Sequence, residues 1–586
     1  MISNFNKIPG VNVKGRDKDC FAGWENIVIQ LNIEISRNPK TKTIIVVECY
    51  QGINDKEVFE SLTSGLSPDI TFLAAEAMLP EEEIRRITFS DVTDDRIFGY
   101  ITRLSMEDFY DPGKVEALRT KINSIKQGTI LLYGTGASIL FPEPDLLIYA
   151  DMARWEIQLR MRRNEVSNLG IMNYEENIES QYKRGYFVDW RVCDRLKKKV
   201  MPGCDYVLDT NLKNSPKMVS INAFSEGMKQ AVNQPFSVVP YFDAGPWGGQ
   251  WMKETFDLDS NTENYAWCFN CVPEENSLYL EFGGNRFETP AINLVFFKPT
   301  ELLGEPVYGR FGDEFPIRFD FLDTIGGGNL SLQVHPLTGY IQEKFGMNYT
   351  QDESYYILEA EDKASVYLGL REEADPRRMI TDLKEAQGSN TEFNASTYIQ
   401  NWPAKKHDHF LIPGGTIHCS AKGCMVLEIS ATPYIFTFKL WDWGRLGMDG
   451  KPRPINIDHG IQNVQWDRTE NWVRDNLVNR IDELGKGDGW HEERTGLHEL
   501  EFIETRRHWF TKKVHHNTND GVNVLALVEG REIIVESPFG LFEPFVAHFA
   551  ETFIVPATVG EYTIRPYGES EGKECATIKA YVRVNG

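Results

Sequence analysis

The run Thr43-Ile-Ile-Val-Val-Glu-Cys49 sets the first limit on the fold. It offers no polar face, so a strand built from it has to be covered on both sides. That is the condition of a central strand in a parallel sheet flanked by helices. A loop bearing Gly52 and a helical segment from Asn54 to Leu62 follow it. Ile70-Thr-Phe-Leu73, Gly128-Thr-Ile-Leu-Leu-Tyr-Gly-Thr-Gly136 and Leu146-Leu-Ile-Tyr-Ala-Asp151 predict three further strands, and an Arg-rich helix is expected from Arg154 to Glu165. Strands alternating with helices predict a doubly wound α/β domain over residues 1–215.

After residue 216 the texture changes to short β runs separated by Gly, Pro and Asn. The runs are Ser277–Phe282, Ala291–Phe297, Leu330–His335, Tyr355–Glu359, Ser365–Leu370 and Met425–Ser430. Their spacing predicts an all-β sandwich or jelly roll over 216–500, with helical insertions near 376–387 and 469–484. Val522–Val528, Glu532–Glu536, Thr552–Val555 and Ala576–Val582 predict a second, smaller jelly roll over 501–586. A chain of 586 residues is long enough for three such units.

The formal charge of −24, from 62 basic and 86 acidic residues, argues against nucleic acid or an anionic membrane as a partner, because both need a cationic face. No stretch approaches the roughly 20 apolar residues of a membrane span, and the start lacks the apolar core of a signal peptide. Nine scattered cysteines fit a reduced, cytoplasmic protein. Cys268-Phe-Asn-Cys271 has no second CxxC to complete a zinc ribbon and reads as two thiols in a strand. A homo-oligomer is compatible with the sequence, which does not specify an oligomeric state.

Gln333 and His335 alternate along a strand and so share a face. Glu353 follows 18 residues after His335, and His418 ends the segment Leu411-Ile-Pro-Gly-Gly-Thr-Ile-His. One carboxamide, one carboxylate and two imidazoles could form a shell for Zn²⁺ or another divalent transition metal, with room for water. The alternative is a pair of ordinary core or surface histidines.

Leu332-Gln-Val-His-Pro336, Glu353-Ser-Tyr-Tyr-Ile-Leu-Glu-Ala-Glu361 and Ile412-Pro-Gly-Gly-Thr-Ile-His-Cys419 together resemble the type I phosphomannose isomerases, which are zinc-dependent cupins. Pro240-Tyr-Phe-Asp-Ala-Gly-Pro-Trp-Gly-Gly249, Phe315-Pro-Ile-Arg-Phe-Asp-Phe-Leu-Asp323, Leu427-Glu-Ile-Ser430 and Trp441-Asp-Trp-Gly-Arg445 extend the resemblance in the right order. Val528-Glu-Gly530 and Glu551–Ala557 match the family's C-terminal cupin, so the likeness covers residues 236–586. It implies an isomerase interconverting mannose 6-phosphate and fructose 6-phosphate. It also implies one zinc ion on Gln333, His335, Glu353 and His418, and a catalytic arginine at Arg445, with Arg453 as second choice. No other cofactor is implied.

Two positions depart from the family. Gln351 and Asp320 stand where the family has lysines. Arg318, two residues from Asp320 and on the same side of the strand, is a candidate to reach a phosphate, and Glu428 is a candidate base near the substrate. An Arg fork binds phosphate but cannot act as the tunable base that a lysine can. The departures leave two rivals: a non-catalytic sugar-phosphate sensor, and an isomerase of a different sugar or sugar phosphate.

The N-terminal domain resembles a degenerate P-loop kinase. Glu48-Cys-Tyr-Gln-Gly-Ile-Asn-Asp-Lys-Glu57 occupies the place of the phosphate loop and keeps only Gly52 and Lys56. Asp151–Arg163 is similar to the strand end and lid helix of nucleoside kinases, where Arg160, Arg162 and Arg163 could hold phosphate or form a solvated face. A structural, nucleotide-sensing or oligomerisation role is expected there rather than phosphotransfer.

Overall fold

The computed structural model describes residues 3–37, 39–389, 392–431, 436–446, 453, 455–496 and 498–584. The continuous apolar run forms the strand Lys42–Cys49, whose Ile45, Val46 and Val47 are fully buried. It is the middle one of five parallel strands in a seven-stranded sheet. In order the strands are Cys20–Ala22, Lys217–Ser220, Tyr206–Asp209, Leu146–Asp151, Lys42–Cys49, Gly128–Gly134 and Ile70–Leu73. The last five are mutually parallel, and Lys217–Ser220 runs antiparallel beside them. This is the doubly wound arrangement expected, and its sheet runs past residue 215.

The loop Tyr50–Asn54 at the end of the middle strand is covered by protein. Trp190 donates its indole N–H to Gln51 Oε1 (3.0 Å), Tyr50 donates to Asp194 (2.8 Å), and a Cβ on Gly52 would lie 2.8 Å from Ile157. Asn54 caps the helix Asp55–Leu66 with its own side chain, and Asp55 and Glu57 already satisfy the positive end of that helix. Glu48 accepts from the Gly136 and Ser138 amides and the Ser138 hydroxyl, and burial raises its carboxyl to about 7. The arginines that could hold phosphate or form a solvated face each have a carboxylate partner within the chain. Arg160 pairs with Glu156 and donates to the carbonyls of Gly52 and Thr210, Arg162 pairs with Asp243, and Arg163 with Glu156 and Glu165. Their helix, Arg154–Arg162, instead fastens the α/β layer to the β layers. Arg154 lies buried between Asp194 and Glu274, Trp155 donates to Ser277 Oγ (2.8 Å), and Gln158 donates to Glu275 (2.7 Å).

The middle of the chain forms two antiparallel sheets. One orders His409–Ile412, Glu353–Ala360, Cys424–Ser430, Arg318–Asp323, Trp267–Cys271 and Tyr241–Asp243. The other orders Ile399–Pro403, Ser365–Leu370, His418–Ser420, Leu332–Val334 and Phe438–Trp441. In the Trp247-Gly-Gly segment a Cβ on Gly249 would come within 2.2 Å of Asp323 Oδ1, so only glycine permits this close approach. Cys268 and Cys271 are both buried free thiols. The C-terminal part pairs a six-stranded sheet with a four-stranded one. Its apolar half gathers Phe510, Leu525, Leu527, Phe553 and Ile564. No described helix is long and apolar enough to cross a membrane.

Three sequence expectations change. Ala291–Phe297 is not a strand: Ile292–Phe297 is a buried helix, entered after Pro290 and followed by a second helix beginning at Pro299. A short unbroken apolar run has no period to separate the two states. The predicted helix at 469–484 stops at Asn476, and Asp482–Gly487 becomes the edge strand of the C-terminal sheet, followed by Trp490–Gly496. The Arg-rich helix ends at Arg162. The insertion near 376–387 is the helix Pro376–Ser389.

Removing Arg154 leaves Asp194 and Glu274 buried without their main counter-charge. Arg154→Ala is expected to destabilise the protein by about 3–5 kcal/mol, read as a lower urea midpoint. An unchanged midpoint would show that the layers are not held together by this contact.

Candidate metal centre

Gln333 lies on the short strand Leu332–Val334 and is paired with His418 on one side and Lys439 on the other. Directly opposed residues share a face, so Gln333, His418 and Lys439 all look toward the same side of their sheet. Glu353 reaches them from the start of a strand in the other sheet. His335 Nε2 lies 3.0 Å from Glu353 Oε2, and His418 Nε2 lies 2.8 Å from Glu353 Oε1. Gln333 Nε2 lies 3.1 Å from His418 Nε2. Rotating that amide by half a turn brings its carbonyl oxygen to the same place. The four side chains singled out in the sequence therefore converge, all of them buried. His335, Glu353 and His418 have a mutual spacing that suits a shared metal ion.

The hydrogen bonds behind the two rings decide what the cluster can hold. His335 Nδ1 faces the Phe436 carbonyl (2.8 Å), and His418 Nδ1 faces the Thr416 carbonyl (2.9 Å). A carbonyl only accepts, so each Nδ1 carries the proton. Each Nε2 then faces a carboxylate oxygen, which also only accepts. With the proton on Nδ1, a neutral ring presents its Nε2 lone pair toward Glu353, as binding of a shared cation requires. Carbonyl bonds to the outer nitrogen are the usual way to aim a metal-binding imidazole. Neither His335 Nε2 nor Glu353 Oε1 makes a well-formed hydrogen bond among the described residues. The donor set fits a divalent metal.

Gln351 completes a ring around the cluster. Its amide N–H donates to Glu353 Oε2 (2.9 Å), and its oxygen accepts from the Phe436 N–H (2.8 Å). Behind Glu353 the charges are crowded. Asp320 stands directly opposite Glu428. Burial raises Asp320 to about 6 against the pull of Arg318. Burial, and then the charges of Glu353 and Asp320, raise the Glu428 carboxyl well above the usual carboxylate range. Arg318 does face the same side as Asp320, but it is buried and its guanidinium is paired with that carboxylate. Arg318, the candidate to reach a phosphate, is thus held by a carboxylate two residues along the same strand.

Arg445 does not touch the four clustered side chains. It donates to the Asn329 carbonyl (2.6 Å) and pairs with Asp442, whose other oxygen takes Arg453 at 2.9 Å. Both arginines line a cavity of about 720 Å³ together with Trp441, Asn456 and, from the α/β layer, Asp95 and Arg96. Sequence reasoning missed Lys439. Desolvation, then the charge of Arg453, lowers its ammonium to about 8, and it has no hydrogen-bond partner among the described residues. The available signal was a lone lysine in the apolar run Phe438-Lys-Leu-Trp441, one strand after Glu428.

Residues 23–233 match a family described as a domain of unknown function (DUF8485). Over 217 residues the chain is 27% identical to the mannose-6-phosphate isomerase of Streptococcus mutans, covering 37% of this chain and 63% of that protein. Over 238 residues it is 24% identical to the mannose-6-phosphate isomerase ManA of Bacillus subtilis, covering 40% and 68%. A crystal structure of the mannose 6-phosphate isomerase from Bacillus subtilis aligns with a TM-score of 0.48 and 18% identity, over 60% of this chain and all of that one. The chain is thus similar to mannose-6-phosphate isomerases over part of its length, and over residues 23–233 to a family without an assigned function.

Proposed function

We propose that the chain is a zinc-dependent aldose–ketose isomerase interconverting mannose 6-phosphate and fructose 6-phosphate. The observation behind this reading is the pair of imidazoles whose outer nitrogens are locked by carbonyls and whose inner nitrogens converge on one carboxylate. The names of the similar proteins support the substrate class. Gln333, His335, Glu353 and His418 would hold the zinc. When bound, it would supply a positive charge that orients the sugar and polarises its oxygens.

Isomerisation moves a proton between C1 and C2, shuttles a hydroxyl proton and stabilises a developing oxyanion. Lys439, on the same face as Gln333 and with an amine near pKa 8, is the candidate base for the carbon proton. Glu428, whose carboxyl is raised well above the usual carboxylate range, is the candidate to give and take the hydroxyl proton. Arg445 and Arg453, which share Asp442 as a counter-ion, are the candidates to hold the phosphate in the cavity they line. Gln351 and Asp320 serve the cluster's geometry: Gln351 aims Glu353, and Asp320 neutralises Arg318. That use of both positions also supports the second reading, a sensor that binds zinc and sugar phosphate without turnover.

The test is fructose 6-phosphate formation from mannose 6-phosphate by the metallated protein. Turnover supports the isomerase, whereas binding without turnover supports the sensor. His418→Ala is expected to lose the zinc that wild-type protein retains at one ion per chain, measured by elemental analysis. Full retention would show that the ligand set is wrong. Lys439→Met should keep its zinc and lower kcat about 100-fold, or about 2.7 kcal/mol. An unchanged kcat would remove Lys439 from the reaction. Arg445→Ala should keep zinc and lower kcat/KM more than about tenfold, about 1.4 kcal/mol. Wild-type kinetics in this variant would exclude that arginine from the site.

A further inference from the structure

The segment after the helix Glu81–Val92 leaves the α/β layer and packs against the back of the strand Phe438–Trp441. It is shaped from its own side. Asp95 Oδ1 accepts from the Ile97 and Phe98 amides, both at 2.7 Å, Thr93 donates to the Phe98 carbonyl (2.7 Å), and Lys183 donates to the carbonyls of Thr93 and Asp95. The Ile101 amide then donates to the Phe345 carbonyl (3.0 Å). The result is a held loop that presents one buried ring, Phe98, to the β layers.

Phe98 stacks on Phe436 with ring centroids 4.8 Å apart and 22° between planes. It also meets Phe438 edge-on at 5.3 Å and Phe345 at 5.4 Å. Phe436 is the residue whose carbonyl takes the Nδ1 proton of His335 and whose amide donates to Gln351. Phe438 is paired with Val334, one residue from Gln333 and Lys439. The α/β layer therefore touches the back of the backbone that aims His335 of the cluster and Gln351 beside it.

We infer that the N-terminal domain is a positioning element for the metal centre: Phe98 clamps Phe436, and through the Phe436 carbonyl and amide it fixes His335 and Gln351. This rests on the metal-centre reading above. Phe98 is a positioning residue, acting only through Phe436. A domain used in this way needs no ligand of its own, which agrees with its covered loop and internally paired arginines. Loss of an outer-shell partner of a metal-binding histidine typically weakens metal affinity 10–100-fold.

The test is the zinc dissociation constant of the full-length protein, measured by competition with a chromophoric chelator well below the melting temperature. Phe98→Ala is expected to weaken zinc binding about 10–100-fold. Phe98→Leu keeps most of the buried volume and should give a clearly smaller loss, and it carries the test if the alanine variant does not fold. Leu62→Ala, a comparable truncation of a fully buried side chain on the helix Asp55–Leu66, should leave the affinity unchanged. Wild-type affinity in both Phe98 variants would overturn the positioning role, as would an equal loss in Leu62→Ala. Absence of zinc binding in the wild-type protein would overturn the metal-centre reading itself.

Discussion

Two backbone carbonyls set the character of the inner surface. Those of Thr416 and Phe436 each hold an Nδ1 proton, which turns both remaining imidazole nitrogens toward Glu353. Two imidazole nitrogens and a carboxylate held this close out of contact with water need a cation or protons between them. Asp320 and Glu428 add two further carboxyl groups behind Glu353, against the single guanidinium of Arg318. That surplus of negative charge is what a divalent cation would offset. The same crowding is what raises the Glu428 carboxyl well above the usual carboxylate range.

The α/β layer depends on the same economy of charge. Its Arg-rich helix could have faced solvent or a phosphate, but its partners lie far along the chain: Asp194, Asp243 and Glu274. A buried pair of this kind adds little net stability over an apolar contact, yet it punishes the loss of either partner. It therefore fixes how the layers dock more than how strongly they hold. A fixed docking is what lets one loop of the first layer act on a histidine of the second.

Much of the β framework was legible because short β runs are marked off by Gly, Pro and Asn turns. Ser277–Phe282, Glu532–Glu536 and Thr552–Val555 lie where that pattern put them. The cluster Gln333, His335, Glu353 and His418 was legible through the motifs around it. Ile292–Phe297 was not, because a six-residue apolar run satisfies a buried helix as well as a strand. Arg318 was placed on the correct side of its strand, but spacing along a strand does not say which neighbour captures a charge. Lys439 and Phe98 were missed for a common reason. Each gains its meaning from a cross-strand or cross-layer neighbour, Gln333 or Phe436, and nothing in the local sequence names that neighbour.

The central claim is that the converging nitrogens and carboxylate oxygens hold one metal ion. It is tested most directly by anomalous diffraction at the zinc edge from crystals of the metallated protein. The account predicts a single peak about 2.0–2.2 Å from His335 Nε2, His418 Nε2 and a Glu353 carboxylate oxygen. Stoichiometric zinc found elsewhere in the molecule, with no peak between these side chains, would contradict it.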